Sequence, residues 1–267
     1  MVTLGVVLDN GECVPWEKVN ERLGILAELV KDPEEVEYKK TDTSVGRLVW
    51  GHLKCSHKAY MDKVIDGYKY YKDMWAMRRG QIIHAGITKI ANMKEYRIYD
   101  KIGGYTLQGV VDFYDEERKE LWEIKTTMYM PKEPKDYWIL QAALYKFLLE
   151  RSGHEVQKVY ILCISFMSWE VWEVKEDMLR NLGFDGWLTV VDVEKMVKAY
   201  MEHKQSGGTV KDPDVCRYCD YWYYCDKGRE VVKGLNNSKL KYLSRPLYKE
   251  GMEIKEPIDM WRELNGN

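Results

Sequence analysis

The chain has no long apolar run, no strong net charge, and no repeat or low-complexity tract. No apolar run among its 267 residues approaches the length of a transmembrane helix, which predicts no membrane partner. The first nine residues lack the basic start and the apolar length of a signal peptide, so we expect a cytoplasmic protein. With 41 basic and 43 acidic residues, the net charge is −2, and any phosphate contacts must depend on local basic clusters.

The six cysteines do not predict a disulfide framework, because the chain is too long and its expected compartment is reducing. Cys163 lies in an apolar segment and is interpreted as a small core residue, whereas Cys13 has no obvious partner. The sequence also lacks a glycine-rich cofactor-binding loop, which makes a redox enzyme the weakest hypothesis. Hydrophobic residues make up 45% of the chain, enough for a substantial core.

Three regions are predicted along the chain. Residues 1–43 form an appendage with a short strand, a turn at Asn10-Gly11 and a helix from about Pro15 to Val30. Residues 44–228 form the main domain, with its core in residues 78–175, and residues 229–267 form a tail. We expect oligomerisation to be possible, although no motif specifies it.

The main domain is predicted to alternate helices with β-hairpins. Helical patterns cover residues 44–71, 78–93, 136–150 and 185–203, and strand patterns cover 105–114, 120–126 and the hairpin 158–174. This order predicts an α/β fold in which a mixed sheet is flanked by helices, and the two hairpins exclude a purely parallel sheet.

Two carboxylates are expected to meet on the first hairpin. Glu123 and Lys125 alternate with Ile124 and therefore share one face of their strand. A turn centred on residues 117 and 118 would place Asp112 opposite Glu123, with Cβ atoms about 5 Å apart. Facing carboxylates need a cation, and Mg²⁺ or Mn²⁺ prefers such oxygen ligands. The alternative is an ordinary charged strand with a chance aspartate opposite it.

Three polar residues on the neighbouring helices could complete this arrangement. His84 lies in the helix before the hairpin, and a lone histidine there is either a packed residue or a metal ligand. Gln141 and Tyr145 lie one turn apart on the helix after the hairpin, which is apolar almost all round. A glutamine in such a helix must be hydrogen-bonded, either within the core or at an active-site wall.

A second constellation contains cysteines. Cys216, Cys219 and Cys225 form a C-x2-C-x5-C run that supplies three thiolates, and the distant Cys55 is the best candidate for a fourth. Thiolates grouped in this way bind either an iron–sulfur cluster or zinc. The aromatic residues around the run could stack on nucleic-acid bases or simply pack around the metal.

Together, these motifs resemble the RecB-type branch of the PD-(D/E)xK nuclease superfamily. The resemblance covers about residues 44–228 and rests on motifs in a fixed order: Gly80-x-x-x-His84, Gly109-x-x-Asp112, Glu123-x-Lys125 and Gln141-x-x-x-Tyr145. With the four cysteines, the chain resembles the CRISPR-associated RecB-like exonucleases, which hold a [4Fe-4S] cluster. It departs from them after Cys55, where Ser56-His57 replaces Pro-Arg.

The resemblance implies a restriction-endonuclease-like core and a phosphodiester-hydrolysing site. His84, Asp112, Glu123 and the carbonyl of Ile124 would bind Mg²⁺ or Mn²⁺, while Lys125, Gln141 and Tyr145 would assist catalysis. Cys55, Cys216, Cys219 and Cys225 would hold a [4Fe-4S] cluster that joins the N- and C-terminal helical segments.

The function implied is a metal-dependent exonuclease acting on single-stranded DNA or DNA ends. Its pathway would be CRISPR spacer acquisition, and hence antiviral defence, or DNA recombination and repair, with CRISPR integrase proteins or a helicase as partners. The alternatives are a non-catalytic DNA-binding partner of such a complex and a zinc-stabilised nuclease.

Overall fold

The computed structural model describes residues 5–7, 13–15, 42–64, 68–69, 86, 96–165, 167–219, 221–240, 243, 248–249 and 255–266. Within these ranges, no helix is long and apolar enough to cross a membrane.

The described helices are α1 to α8 in chain order: Val45–Leu53, His57–Val64, Asp136–Arg151, Glu176–Asn181, Val190–Ser206, Asp226–Lys233, Asn237–Leu240 and Pro257–Asn265. A 3-10 helix covers Pro213–Tyr218. The described strands are β1 to β11: Gly5–Val7, Cys13–Pro15, Thr43–Ser44, Tyr68–Lys69, Tyr96–Ile102, Tyr105–Val111, Phe113–Asp115, Glu120–Thr126, Lys158–Ile164, Trp169–Glu173 and Tyr248–Lys249.

A four-stranded mixed sheet lies at the centre, with the order β10-β9-β8-β7. Strands β8 and β9 are parallel, with Lys125 opposite Cys163, whereas both outer pairs are antiparallel. The parallel pair requires a crossover, and α3 provides it between the two strands. This arrangement confirms the predicted mixed sheet and the predicted hairpin over residues 158–174.

Helix α3 is the central element of the core. Eleven of its sixteen residues are buried, because the sheet lies on one side of it and helices α1 and α4 contact it elsewhere. Lys146 is buried among them; its ammonium group donates to the Val156 carbonyl at 2.7 Å and forms an ion pair with Glu150. The prediction of an apolar helix over residues 136–150 is confirmed.

The predicted hairpin between residues 105–114 and 120–126 is only partly right. The first strand is interrupted at Asp112, and of its two parts, β6 and β7, the short strand β7 is the one that pairs with β8. Strand β6 instead pairs with β5, and both belong to a separate three-stranded sheet in the order β3-β6-β5. The sequence analysis missed β5, although the adjacent Gly103-Gly104, with φ of 59° and 88°, is a strong hairpin signal.

The helical predictions need two corrections. The pattern over residues 44–71 is divided into α1 and α2 by a break at residues 54–56, and it ends before strand β4. The pattern over residues 185–203 contains α5, which begins only at Val190, where Thr189 and Asp192 form a capping box. Of the predicted helices over residues 15–30 and 78–93, the structure describes only Pro15, which ends strand β2, and Gly86, which is helical.

The terminal regions make limited pairings. Strands β1 and β2 pair antiparallel with Val7 opposite Cys13, so the predicted first strand is present and a second strand, which the sequence analysis did not predict, pairs with it. The turn predicted at Asn10-Gly11 lies outside the described residues. Strand β11 of the predicted tail pairs antiparallel with β4 of the predicted main domain.

Candidate active site and cysteine pocket

Glu123 and Lys125 form a buried ion pair at the end of strand β8. The Lys125 ammonium donates to Glu123 Oε1, and the side chains are 18% and 2% exposed, respectively. Their alternation with Ile124 directs both side chains to the face of the sheet covered by α3, as predicted. Burying an ion pair is an inefficient way to stabilise a sheet, so its position here indicates a functional site.

Asp112 is linked to this pair through the backbone of strand β8, which carries both residues of the pair. It occupies the bend between β6 and β7, and its Oδ2 accepts a hydrogen bond from the Ile124 amide at 2.7 Å. Extending the β7–β8 register by one residue beyond Phe113–Trp122 places Asp112 opposite Glu123. The predicted juxtaposition is therefore present, although a bend rather than a continuous strand creates it.

Helix α3 extends the polar arrangement into its own buried face. The Lys125 ammonium donates to Gln141 Oε1 at 2.9 Å, and Gln141 Nε2 donates to the Tyr145 hydroxyl at 2.9 Å. The spacing of one helical turn permits this chain, because Gln141 and Tyr145 lie on the same stripe. Gln141 therefore contacts Lys125 directly instead of making an unrelated core bond.

Tyr145 is the buried end of this chain. Burial raises the pKa of its hydroxyl well above the ordinary value, and the nearby Glu123 carboxylate raises the pKa further. The hydroxyl therefore stays protonated at neutral pH and keeps both its donor and its acceptor capacity. We refer to Asp112, Glu123, Lys125, Gln141 and Tyr145 together as the carboxylate–lysine site.

Gly109 allows the helix to approach the sheet at this site. A Cβ atom there would lie 3.0 Å from Leu148 Cδ1 and 3.2 Å from the Tyr145 ring. Any larger residue would force α3 away from β6, and the hydrogen bonds from Gln141 would lengthen. The glycine that precedes Asp112 by three positions therefore has a packing role.

The four predicted cysteines line one small pocket, which we call the cysteine pocket. Cys55, Cys216, Cys219 and Cys225 all contribute to its wall, with Met61, Tyr221 and Trp222 among the neighbouring residues. Each of the four is a free cysteine, and all except Cys219 are buried. The structure therefore brings cysteines separated by more than 150 positions to one pocket, and their role as ligands stays a prediction.

Burial makes the thiolate forms of two of these cysteines, Cys55 and Cys216, unfavourable in this pocket. Burial, together with the neighbouring Cys55 and Cys225, raises the pKa of Cys216 to about 11. The pKa of Cys55 is also raised, chiefly by burial. Four soft donors in one pocket fit an iron–sulfur cluster or zinc, whose positive charge would reverse this preference. In the described part of the chain, no group of three or more His, Cys, Asp or Glu residues is arranged to hold a metal ion.

A backbone junction joins Cys55 to the segment that precedes the other cysteines. Cys55 forms an antiparallel bridge with Val210, and the Ser56 hydroxyl donates to the Thr209 carbonyl at 3.2 Å while accepting from the Thr209 amide at 2.9 Å. Gly208 fits here because a Cβ atom would lie only 2.3 Å from Ser56 Oγ. The sequence analysis missed this junction, since a pairing over 153 positions leaves no local pattern.

The aromatic residues near the cysteines are mainly packing residues. Tyr221 is 4% exposed and Trp222 is fully buried, so neither can stack on a base without rearrangement. Lys58 lies over the Tyr221 ring, with its ammonium 4.2 Å from the ring centre. Tyr218 differs, with 47% of its surface exposed.

One predicted ligand cannot be placed. His84, with Gly80 of the same motif, lies outside the described residues. The described hard-oxygen candidates for Mg²⁺ or Mn²⁺ are therefore Asp112 and Glu123, with the carbonyl of Ile124, the residue after Glu123. Their oxygen chemistry fits such a cation, although these residues alone do not complete its coordination.

Comparison with protein-family models identifies the family. The model described as the PD-(D/E)XK nuclease superfamily matches residues 17–226, which is most of the chain. The chain belongs to the PD-(D/E)XK nuclease superfamily. Members of this superfamily are usually nucleases and generally use Mg²⁺ or Mn²⁺. The helix-flanked α/β architecture of this superfamily member agrees with that assignment.

A solved structure supports the same fold. The crystal structure of SSO0001 superposes with a TM-score of 0.55 at 17% sequence identity, over 79% of this chain and 97% of that one. At this identity the similarity concerns the fold alone. A search of curated proteins gives no match.

Proposed function

We propose that this superfamily member is a metal-dependent DNA exonuclease that hydrolyses phosphodiester bonds at single-stranded DNA ends. The observation that carries the proposal is the hydrogen-bonded series from Glu123 through Lys125 and Gln141 to Tyr145, beside Asp112. A partly buried lysine beside two carboxylates suits a reaction in which negative charge develops on a phosphate.

In this proposal the carboxylates hold the metal and the lysine acts on the substrate. Asp112 and Glu123, with the Ile124 carbonyl and His84, would bind Mg²⁺ or Mn²⁺. The bound cation would supply activation of water and neutralisation of charge on the phosphate.

Lys125 would donate to the phosphate oxygens as their charge increases, or orient the attacking water. Gln141 would restrict Lys125 to that direction through its 2.9 Å hydrogen bond, and Tyr145 would hold the Gln141 amide in turn. Gln141 and Tyr145 act through their neighbour in this scheme and are positioning residues.

The test is cleavage of end-labelled single-stranded DNA by anaerobically purified protein, with Mn²⁺ or with EDTA. We expect manganese-dependent degradation from the labelled ends, and Glu123→Gln or Lys125→Ala should reduce it by about 100-fold or more. Glu173→Gln, an exposed change on β10, is the matched control and should retain full activity. A folded wild-type protein that degrades no DNA would favour a non-catalytic DNA-binding role, and full activity of Glu123→Gln would refute the site.

We further propose that the cysteine pocket holds a [4Fe-4S] cluster. The support is that all four predicted cysteines line one pocket and that the Cys55–Val210 bridge joins the two contributing segments. Bound there, the cluster would stabilise the contact between the N- and C-terminal helical segments, because metal-binding energy becomes folding energy. A zinc ion held by the same thiolates is the competing assignment, and zinc would leave the protein colourless.

A cytoplasmic role in CRISPR spacer acquisition, or else in recombination and repair, is proposed from the family resemblance, which implies an integrase or a helicase as partner. Gel filtration of the purified protein with each partner class from the same genome tests this pathway. Co-elution with an integrase would support the CRISPR role, and co-elution with a helicase would support repair. Separate elution from both at micromolar concentrations would contradict the assignment.

A further inference from the structure

Two loops meet at the end of the sheet that carries the carboxylate–lysine site. One loop, residues 127–135, leaves strand β8 just after Lys125 and leads to α3. The other connects β9 to β10. The Thr127 amide donates to the Ile164 carbonyl at 2.9 Å, and Ile164 pairs with Trp169. At a strand spacing of about 4.8 Å, the backbones of Thr127 and Trp169 lie about 10 Å apart.

Large side chains are exposed on both loops. Tyr129 is 82% exposed and Trp169 is 69% exposed, while Met128 and Met167 beside them are 54% and 93% exposed. The sheet has other tryptophans, Trp122 and Trp172, but both are half-buried against neighbouring rings. Exposed aromatic side chains next to a candidate active site indicate a binding surface, since their exposure contributes nothing to the core.

The charges around this surface indicate what it binds. Lys132 and Lys135 are exposed on the first loop, but Glu133 on that loop and Glu170 on β10 are exposed as well. The surface is therefore nearly neutral, and attraction of phosphates cannot be its main contribution. The remaining source of affinity is stacking on the exposed aromatic rings. Such rings stack on the faces of unpaired bases, whereas the base faces in a duplex are already covered by neighbouring base pairs.

The direction of Trp169 relates this surface to the site. Paired residues on adjacent strands point to the same face of the sheet, so Trp169 points to the same face as its partner Ile164 and as Thr126. Lys125 and its partner Cys163 point to the opposite face. A nucleic-acid strand that runs from the site to Trp169 must therefore pass over the end of the sheet, beside the loop that carries Tyr129. Both rings would contact nucleotides beyond the linkage that is cut.

We propose that Tyr129 and Trp169 form a stacking surface for the unpaired bases of a single-stranded nucleic acid whose backbone occupies the carboxylate–lysine site. The proposal rests on the proposed nuclease function for its choice of ligand. It assigns to these two residues a role in binding that the chemistry at Lys125 does not require.

Binding is measured by fluorescence anisotropy with labelled oligothymidylate, in a Glu123→Gln background that prevents cleavage, over a range of NaCl concentrations. Trp169→Ala and Tyr129→Ala should each raise Kd roughly 5- to 100-fold, whereas Trp169→Phe should retain most of the affinity. Because stacking releases no counterions, the slope of log Kd against log NaCl should be unchanged. Val191→Ala, an exposed apolar change on α5, is the control and should leave Kd unchanged.

In the cleavage-competent protein, Trp169→Ala should raise KM in proportion to Kd and leave kcat at saturating DNA within about twofold. An unchanged Kd would overturn the proposal and favour a protein partner for this surface. A changed salt slope, or equal binding of duplex and single strand, would overturn it too. Since Kd is measured without cleavage, an inactive wild-type protein would refute the nuclease function and still leave the stacking surface to be decided.

Discussion

The carboxylate–lysine site and the cysteine pocket are built in different ways. The first lies on a strand and a helix that are both within the core, so backbone hydrogen bonds and buried apolar side chains already hold its residues in place. The second lies among turns and short helices, and its walls come from segments joined by one β-bridge and a few side-chain contacts.

This difference indicates what each site needs from a bound metal. The first site is rigid without its cation, because Gln141 already engages Lys125 and the Ile124 amide already engages Asp112. The cysteine pocket is lined by turns and short helices, and burial raises the pKa of Cys55 and Cys216, which opposes the thiolate form that a ligand requires. We therefore expect metal loss to abolish activity at the first site and to unfold the surroundings of the second.

The largest effect is expected from Cys216→Ser. If the pocket holds the proposed [4Fe-4S] cluster, loss of this thiolate should release its iron, abolish the broad violet-blue absorption of such a cluster and lower the free energy of unfolding by about 4 kcal/mol or more. Hydrogen exchange should increase over residues 42–64 and 208–233, while α3 and β8 keep their protection. Cys163→Ala changes a buried cysteine outside the pocket and should retain all of the iron. Full iron content in Cys216→Ser would refute the ligand assignment. One equivalent of zinc per wild-type chain, in place of iron, would identify the bound metal as zinc.

A smaller effect is expected from Gly208→Ala, which tests the junction without removing a ligand. The added methyl group would lie 2.3 Å from Ser56 Oγ and 2.8 Å from the His57 amide nitrogen, so the junction must open at a cost of about 1–3 kcal/mol.

Gly46→Ala is the matched control for this change. Nothing lies within 4 Å of the added methyl group, and alanine favours the helical backbone of α1 by up to about 1 kcal/mol. Urea unfolding should therefore give opposite signs for the two alanine variants. Equal midpoints would show that the junction does not constrain the fold.

The smallest effect is expected from Tyr145→Phe. Removing the hydroxyl deprives Gln141 of its acceptor, and the loss of one buried hydrogen bond is worth about 0.5–1.5 kcal/mol. If Tyr145 acts by positioning Lys125, kcat should fall about three- to tenfold with KM nearly unchanged. Tyr160→Phe, on the opposite face of the sheet, serves as the control. A rise in KM alone would contradict a positioning role.

The sequence contained most of the carboxylate–lysine site because its spacings are local. The alternation Glu123-x-Lys125 and the one-turn spacing of Gln141 and Tyr145 determine which side chains share a face, whatever the remainder of the chain does. The register that brings Asp112 to Glu123 followed from the length of one short turn. The grouping of the four cysteines was predicted from residue type alone. Three cysteines in a short run supply three thiolates, and a zinc site or an iron–sulfur cluster needs a fourth ligand.

Other features depended on contacts between distant segments. The break at Asp112 and the pairing of β6 with β5 reflect competition between two sheets, which the pattern of a single strand does not contain. The exposure of Tyr129 and Trp169 could not be predicted either, because an apolar residue in the sequence looks the same whether it packs inside or remains in solvent.

The sequence by itself determined the chemistry of this protein: two carboxylates, a lysine and four cysteines at spacings that limit their use. Only the tertiary structure decided that Gln141 accepts a hydrogen bond from Lys125 instead of pairing with another core residue. It also decided that Gly208 packs directly against Ser56. The physical reason is that local geometry follows from covalent spacing, whereas contacts between distant segments follow from the packing of the whole core.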